Sequence, residues 1–327
     1  MFLPPLVADG IAYGSGLALL ACGITLIYMT TRTFNFAHAS MATWGLFVVY
    51  SGSFLIGLSP YVFFPLAFAL GAAQGLVWYF VCNRYLLRRG ADETVLMMST
   101  LGYELLLLSF VQMFADVLTD LGAYPRLITM STTDFQIFGM RAITVISLIS
   151  AITILASLHL YLTRTRFGLA IRATVENTSL AGVTGINAER VYLTSWILGG
   201  GLACLGGAFM GMVVTGSPVM GWGVIVPMFA SSILGGLYSI YGGIVGGYIV
   251  GLAEYVGLAL LSMVVGIGIL PYRPVIPLAI MVIVLLVLPQ GLAGLTRQNL
   301  KKIVQKETWT GLAQRGSRRM AQLVRRG

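Results

Sequence analysis

Residues 142–162 read AITVISLISAITILASLHLYL, twenty-one positions without an Asp, Glu, Lys or Arg. About 20 such residues in a helix match the ~30 Å hydrocarbon core of a bilayer, which makes the run a membrane-span candidate. It does not stand alone. Apolar runs between polar breaks place further spans at 10–30, 36–57, 61–86, 94–114, 190–214, 223–240, 241–265 and 274–290. Only 9% of the 327 residues are charged and 57% are hydrophobic, against roughly 25% charged in soluble domains. Too little charge is left to clothe a water-facing surface. The fold class is therefore all-α, a polytopic transmembrane helical bundle of about eight or nine spans. The alternation of apolar and polar residues that a membrane barrel needs is missing.

Charge placement gives the orientation. The net charge of +9 is concentrated beyond residue 296, where nine Lys or Arg meet the single acid Glu307. The chain thus divides into a membrane body, 1–296, and a basic tail, 297–327, whose simplest partner is the anionic lipid headgroup. Nucleic acid is not implied, because the body itself is nearly neutral. Loop 84–93 carries Arg84, Arg88 and Arg89, and segment 163–190 carries Arg164, Arg166, Arg172 and Arg190. Lys and Arg accumulate in cytoplasmic loops. Placing these loops and the tail inside requires an odd number of spans, with the N-terminus outside. The start MFLPPLVADG has no basic n-region or small-residue cleavage site, so no cleaved signal peptide is expected.

The seventh span, 223–240, is short and holds Pro227, Ser231, Ser232, Gly235 and Gly236, which predicts a half-helix or re-entrant segment. A second interruption falls at TRTFNFAHAS, 31–40. Paired interruptions in oppositely oriented halves point to an inverted repeat with a site between the halves. Small residues four apart (Ala203, Gly207 and Gly211 on one span, Gly243, Gly247 and Gly251 on another) predict close helix packing in lipid. Ionisable residues within spans are His38, Glu104 and Glu254. Such groups are costly in a bilayer and turn towards a partner or a watery path. With Asn35, Ser40, Ser231 and Ser232 they make a candidate translocation path. A structural hydrogen bond to a neighbouring Tyr or Ser is an equal alternative for the two acids.

Catalytic signatures are absent. The sequence contains no GxxxxGK[ST] loop for ATP phosphates, no HExxH and no GxSxG. Cys22, Cys82 and Cys204 are isolated in apolar runs without metal-ligand spacing, so neither a metal nor a cofactor is expected on this chain. If ATP drives it, another chain binds the nucleotide.

GLALLACGITLIYMTTRTFNFAHAS (16–40) resembles the opening of the membrane permeases of branched-chain amino-acid ABC importers, with Asn35, Phe36, Ala37 and His38 matching and Ala39 in place of the usual Gly. RFGLAIRATVENTSLAGVTGIN (166–187) is similar to their RA…N…A…GIN segment through Arg172, Ala173, Asn177, Ala181, Gly185, Ile186 and Asn187. SSILGGLYSIYGGIVGGYIVGLAE (231–254) and LPQGLAG (288–294) also fit, although Tyr241 and Gly242 depart from the usual wording. The resemblance implies a permease subunit working by alternating access. It also implies a second related permease, two ATPase subunits that hold ATP and Mg, and an extracellular solute-binding protein, at the cell's inner membrane. Within it, 169–186 would be the coupling helix against the ATPase.

The residues of that segment agree with a helix of about four turns. Leu169, Ala173, Glu176 and Leu180 share one face as anchors for a partner groove. Gly185 can close such a helix through a left-handed residue, and Asn187 can cap the next span. A urea or short-amide importer is the alternative within the family, and a stand-alone secondary transporter or channel the alternative outside it.

Overall fold

The computed structural model describes residues 4–131, 134–137 and 139–294. The basic tail, and the lipid-anchoring role read for it, lie outside the described residues. Among the described residues eleven helices, with a short 3₁₀ helix (Ile267–Tyr272) before the last, follow one another: α1 (Pro5–Thr31), α2 (His38–Ile56), α3 (Pro60–Arg88), α4 (Glu93–Asp120), α5 (Ala142–Arg164), α6 (Arg166–Glu176), α7 (Thr178–Val183), α8 (Ala188–Gly211), α9 (Met220–Gly235), α10 (Ile240–Val264) and α11 (Val275–Val287, resuming as a last turn to Gly294). A two-residue hairpin, β1 (Gln136–Ile137) against β2 (Met140–Arg141), precedes α5.

Eight of these helices are long and apolar enough to cross a membrane, and α9 is not. The seventh expected span is thus the 16-residue α9, about 24 Å long at 1.5 Å per residue. It stops at Gly236, whose φ of 102° a side chain would resist, and Ser239 caps α10 by accepting the Gly242 amide at 3.1 Å. Connections sort onto two faces. Arg32, just past α1, bonds Tyr238 in the α9–α10 turn (2.6 Å), so these ends lie on the face that also carries the Arg-rich 84–92 and 163–187 connections. Ile128 and Gly216 bridge their backbones on the opposite face, where Arg141 also pairs with Asp9 near the start of α1.

Two three-helix units run through the bundle in opposite senses. Exchanging α1 with α8, α2 with α9 and α3 with α10 maps the tight α3–α8 contact onto an equally tight α1–α10 contact. In each unit a through-going helix is followed by a short return and a helix that begins inside the bundle. The third helix of each carries a π-bulged turn, at Tyr79–Asn83 in α3 and Ala253–Gly257 in α10. An inverted repeat is therefore present as topology, but its units have three helices each, and the break that matches 32–37 is 212–219, before α9, rather than the expected one at the end of the seventh span.

Glycine sets these contacts, because lipid offers no hydrophobic drive for helix association and close approach must supply it. A Cβ on Gly207 would collide with the backbone of Ala42, and one on Gly71 with the carbonyl of Gly200. Gly211 lies against Leu46, while Gly243, Gly247 and Gly251 follow α1 past Thr25, Ala18 and Gly14.

Candidate functional site

The first interruption is built around four of the residues singled out in the sequence. α1 ends at Arg32, a non-glycine residue with a φ of 56°, held there by its ion–aromatic contact with Tyr238 (4.9 Å to the ring centre). The chain then turns back into the bundle. Asn35 shapes that turn: its Oδ1 accepts the Ala37 amide at 3.1 Å and its Nδ2 donates to His38 Nδ1 at 2.9 Å. The imidazole proton is thereby placed on Nε2, which is buried against Gly23 with no hydrogen-bond partner. His38 extends into no chain of proton carriers.

α2 begins at this point, away from water, with unpaired amides at its first turn. Glu104 of α4 supplies the acceptor. Its Oε2 takes the Ser40 amide at 3.0 Å and its Oε1 the Ser40 hydroxyl at 2.7 Å. A carboxylate at a helix N-terminus is favoured by the aligned peptide dipoles. One turn earlier in α4, Thr100 Oγ1 accepts the Phe36 amide at 3.2 Å, and its own proton goes to the Met97 carbonyl at 2.7 Å, with the Phe34 carbonyl a longer alternative at 3.2 Å. Two residues of one helix thus hold both the return loop and the helix it starts. Asn35, His38, Ser40 and Glu104 are all essentially inaccessible.

α9 starts alongside. The Gly221 amide donates to Thr43 Oγ1 of α2 at 3.0 Å, and Gly221 lies against the Ala39 carbonyl. The two interrupted helices therefore present their N-termini to each other inside the bundle. Phe229 of α9 stacks edge-on with both Phe34 and Phe36 at 5.5 and 5.3 Å. Ser231 and Ser232 lie deeper along α9. Ser232 bonds Thr25 at 2.8 Å and Ser231 returns its hydroxyl to the Pro227 carbonyl at 2.7 Å. They face α1 and α10 and do not join the Asn35–Glu104 cluster.

Glu254 also lies elsewhere, in the π-bulge of α10. It is buried and accepts Arg273 Nε at 2.8 Å. The guanidinium in turn lies over the rings of Tyr13 and Tyr255, 4.6 and 4.4 Å from their centres. Arg273 had no role in the sequence reading. Its only signal was a lone Arg in the otherwise apolar ILPYRPVIP. Thr100 was missed too, although its place one turn before Glu104 was legible.

The 163–190 segment departs from one continuous helix. Thr165 caps α6 by accepting the Gly168 amide (3.0 Å), and Asn177 breaks it after Glu176. With φ −156° and ψ 104°, Asn177 then caps α7 through the Leu180 amide at 2.9 Å. Leu169 and Leu180 consequently sit on different helices. Gly185, at φ 83°, closes α7 while the Gly185 amide reaches the Gly182 carbonyl and the Ile186 amide the Ala181 carbonyl, both at 3.0 Å. This is the paired-bond C-terminus in which glycine avoids the left-handed penalty. Asn187 accepts the Arg190 amide at 3.4 Å and starts α8. Ile171, Thr174 and Ala181 are buried, whereas Arg172, Glu176, Asn177, Gly185 and Asn187 are exposed and Ala173 and Ile186 half-buried. Leu169, Leu180 and Val183 are 60, 62 and 85% exposed. These three are large apolar side chains left in the open, Leu180 and Val183 on a short helix capped at both ends.

Among the described residues no group of His, Cys, Asp and Glu is disposed to hold a metal ion. What remains is a multi-pass helical membrane protein with inverted, interrupted helices at its centre, the architecture of a transport protein. The chain belongs to the family of permease components of branched-chain amino-acid transport systems, whose model matches residues 6–285. It is 37% identical over 300 residues to the probable branched-chain amino acid transport permease protein LivH of Methanocaldococcus jannaschii, covering 91% of this chain and 95% of that one. The high-affinity LivH permease proteins of Escherichia coli K12 and Salmonella typhimurium are 28 and 27% identical, each over 88% of this chain and 94% of theirs. The family consists of transport components and not enzymes. No solved structure matches the chain.

Proposed function

We propose that the chain is the permease subunit of an ATP-binding-cassette importer that moves branched-chain amino acids by alternating access. The observation that carries this reading is the family match through residues 6–285, nearly the whole membrane body, with relatives whose names specify that cargo. A second related permease completes the path, two ATPase subunits bind ATP and Mg, and a solute-binding protein delivers cargo from outside. The Arg-rich face, with α6 and α7, lies in the cytoplasm, in keeping with the bias of Lys and Arg towards that side. α7 is the element that meets the ATPase: Leu180 and Val183 offer apolar anchors, and the caps at Asn177 and Gly185 keep the short helix formed. Closure of the ATPases on ATP pushes α6–α7 and, through Asn187, the foot of α8.

The test is uptake of labelled L-leucine by cells that lack their own branched-chain carriers and express this chain with its neighbouring permease, ATPases and binding protein. The expected result is ATP-dependent accumulation that disappears when this chain is omitted. Accumulation that is unchanged without it, or failure of the ATPases to copurify with it, overturns the reading.

A further inference from the structure

α1 and α3 both pack along α8, and α5 packs along α1. Between α5 and α3, with α8 as its floor, an apolar cleft of about 670 Å³ is left. Phe64, Phe68, Leu202 and Phe209 line one side of it and Ile154 and Tyr161 the other. Its two serines are closed on their own helix. Ser150 donates to the Ile146 carbonyl, and Ser157 to the Thr153 carbonyl at 2.8 Å. A buried water needs two to four polar partners, and beyond the Tyr161 hydroxyl this cleft offers almost none. It takes hydrocarbon.

Two further observations say which hydrocarbon. The α5 wall, from Ser150 to Tyr161, rises about 16 Å at 1.5 Å per residue. That is close to the ~15 Å that one leaflet contributes to a ~30 Å bilayer core, whereas a partner's membrane helix would follow the full thickness. At its outer end the wall runs on to Arg164, three residues past Tyr161 and hence its neighbour on the helix surface. Arg164 is exposed and makes no hydrogen bond or ion pair among the described residues. Tyr161 is half-buried beside Phe167, 6.1 Å between ring centres, as aromatic residues are at headgroup level. A cleft one leaflet deep, without polar partners along its length and with a free cation at its mouth, complements an acyl chain followed by a phosphate.

We infer that this cleft is a specific site for an anionic phospholipid of the leaflet on the Arg-rich face. One acyl chain fills the space between α5 and α3, and the headgroup phosphate meets Arg164. Thr165 alone separates α5 from α6, so the bound lipid braces the helix that carries α6 and α7. The site uses none of the basic tail and goes beyond the importer reading.

The full chain, purified alone and with its neighbouring permease, is to be exchanged into detergent holding equal amounts of dioleoyl-phosphatidylglycerol and dioleoyl-phosphatidylcholine, and its bound lipid weighed by native mass spectrometry. One lipid per chain is expected above the nonspecific background. Phosphatidylglycerol should be favoured about fivefold, the equivalent of the ~1 kcal/mol that one Arg contributes at an anionic surface. Arg164→Gln should keep a lipid and lose the preference. Ser157→Trp sets a ring into the cleft from an exposed position and should lose the lipid, with the melting temperature in detergent alone unchanged. Absence of a retained lipid in wild type, equal retention of the two lipids, or retention in Ser157→Trp overturns the inference. So does loss of the lipid when the neighbouring permease copurifies, which would make the cleft that chain's seat. None of these results touches the importer reading, which the uptake assay decides.

Discussion

Glu104 of α4 accepts the backbone amide of Ser40 at 3.0 Å and its hydroxyl at 2.7 Å, so a side chain of one membrane helix caps the first turn of another. The cap is supplied from 64 positions along the chain. Glu104→Ala strips the acceptor and leaves the α2 amide buried and unmet, which costs about 1–3 kcal/mol. Glu104→Gln keeps an acceptor but loses the charge that favours a helix N-terminus, and should cost about half as much. Denaturant titration of the purified chain in detergent measures both. Equal stability of Glu104→Ala and wild type would show that α2 is held by its loop alone.

The glycine contacts predict a sharp contrast. Gly207→Leu drives a side chain into the Ala42 backbone, beyond the 1–3 kcal/mol usual for overpacking, and should leave no folded protein in the membrane. Gly102→Ala meets nothing within 4 Å and removes a glycine from a helix interior, so it should be neutral or stabilising by up to ~1 kcal/mol. Membrane-fraction yield and melting temperature read the difference.

At α7 the caps and the apolar surface separate. Asn177→Ala removes the acceptor for Leu180 and should loosen α7 by about 1 kcal/mol, seen as faster hydrogen exchange confined to 178–186. Leu180→Asp touches no buried group and should leave the melting temperature unchanged, yet abolish copurification of the ATPase. Retained ATPase binding in Leu180→Asp would move the docking surface elsewhere.

The pair of Glu189 with Arg84 (3.3 Å) and Arg88 (2.6 Å) ties the foot of α8 to the end of α3 at a well-exposed site. Exposed pairs contribute little and are screened by salt. Glu189→Gln should therefore lower the melting temperature only slightly, and the deficit should shrink between low and high salt. A deficit independent of salt would assign Glu189 a packing role.

Much of this was legible because lipid imposes its rules on sequence directly. Span lengths, the shortness of α9 and the small-residue stripes of α8 and α10 follow from hydrocarbon thickness and close approach, both written in local composition. The end of α7 at Gly185 and the start of α8 at Asn187 were legible for the same local reason. The break at Asn177 was not. The apolar periodicity of Leu169, Ala173, Glu176 and Leu180 runs straight through it, and an Asn cap looks the same in sequence as an exposed helical Asn. Glu104 does take the neighbouring-helix Ser that was one of the two expectations for it, but which residues pair with the two interior acids was not legible. Ser40 lies on a helix that only the fold brings to Glu104, and Arg273 reaches Glu254 from a connection between spans.

The inverted units also have a mechanical consequence. Each is joined to the other through its third helix, α3 locked on α8 and α10 locked on α1 by backbone contacts that admit no Cβ. Neither half can therefore rock against the other without breaking both seams, and a chain interlocked in this way moves as one lever. In the importer reading proposed above, the strokes of transport would then fall to the boundary between this lever and a neighbouring chain, and the work of ATP would be spent on turning a rigid body.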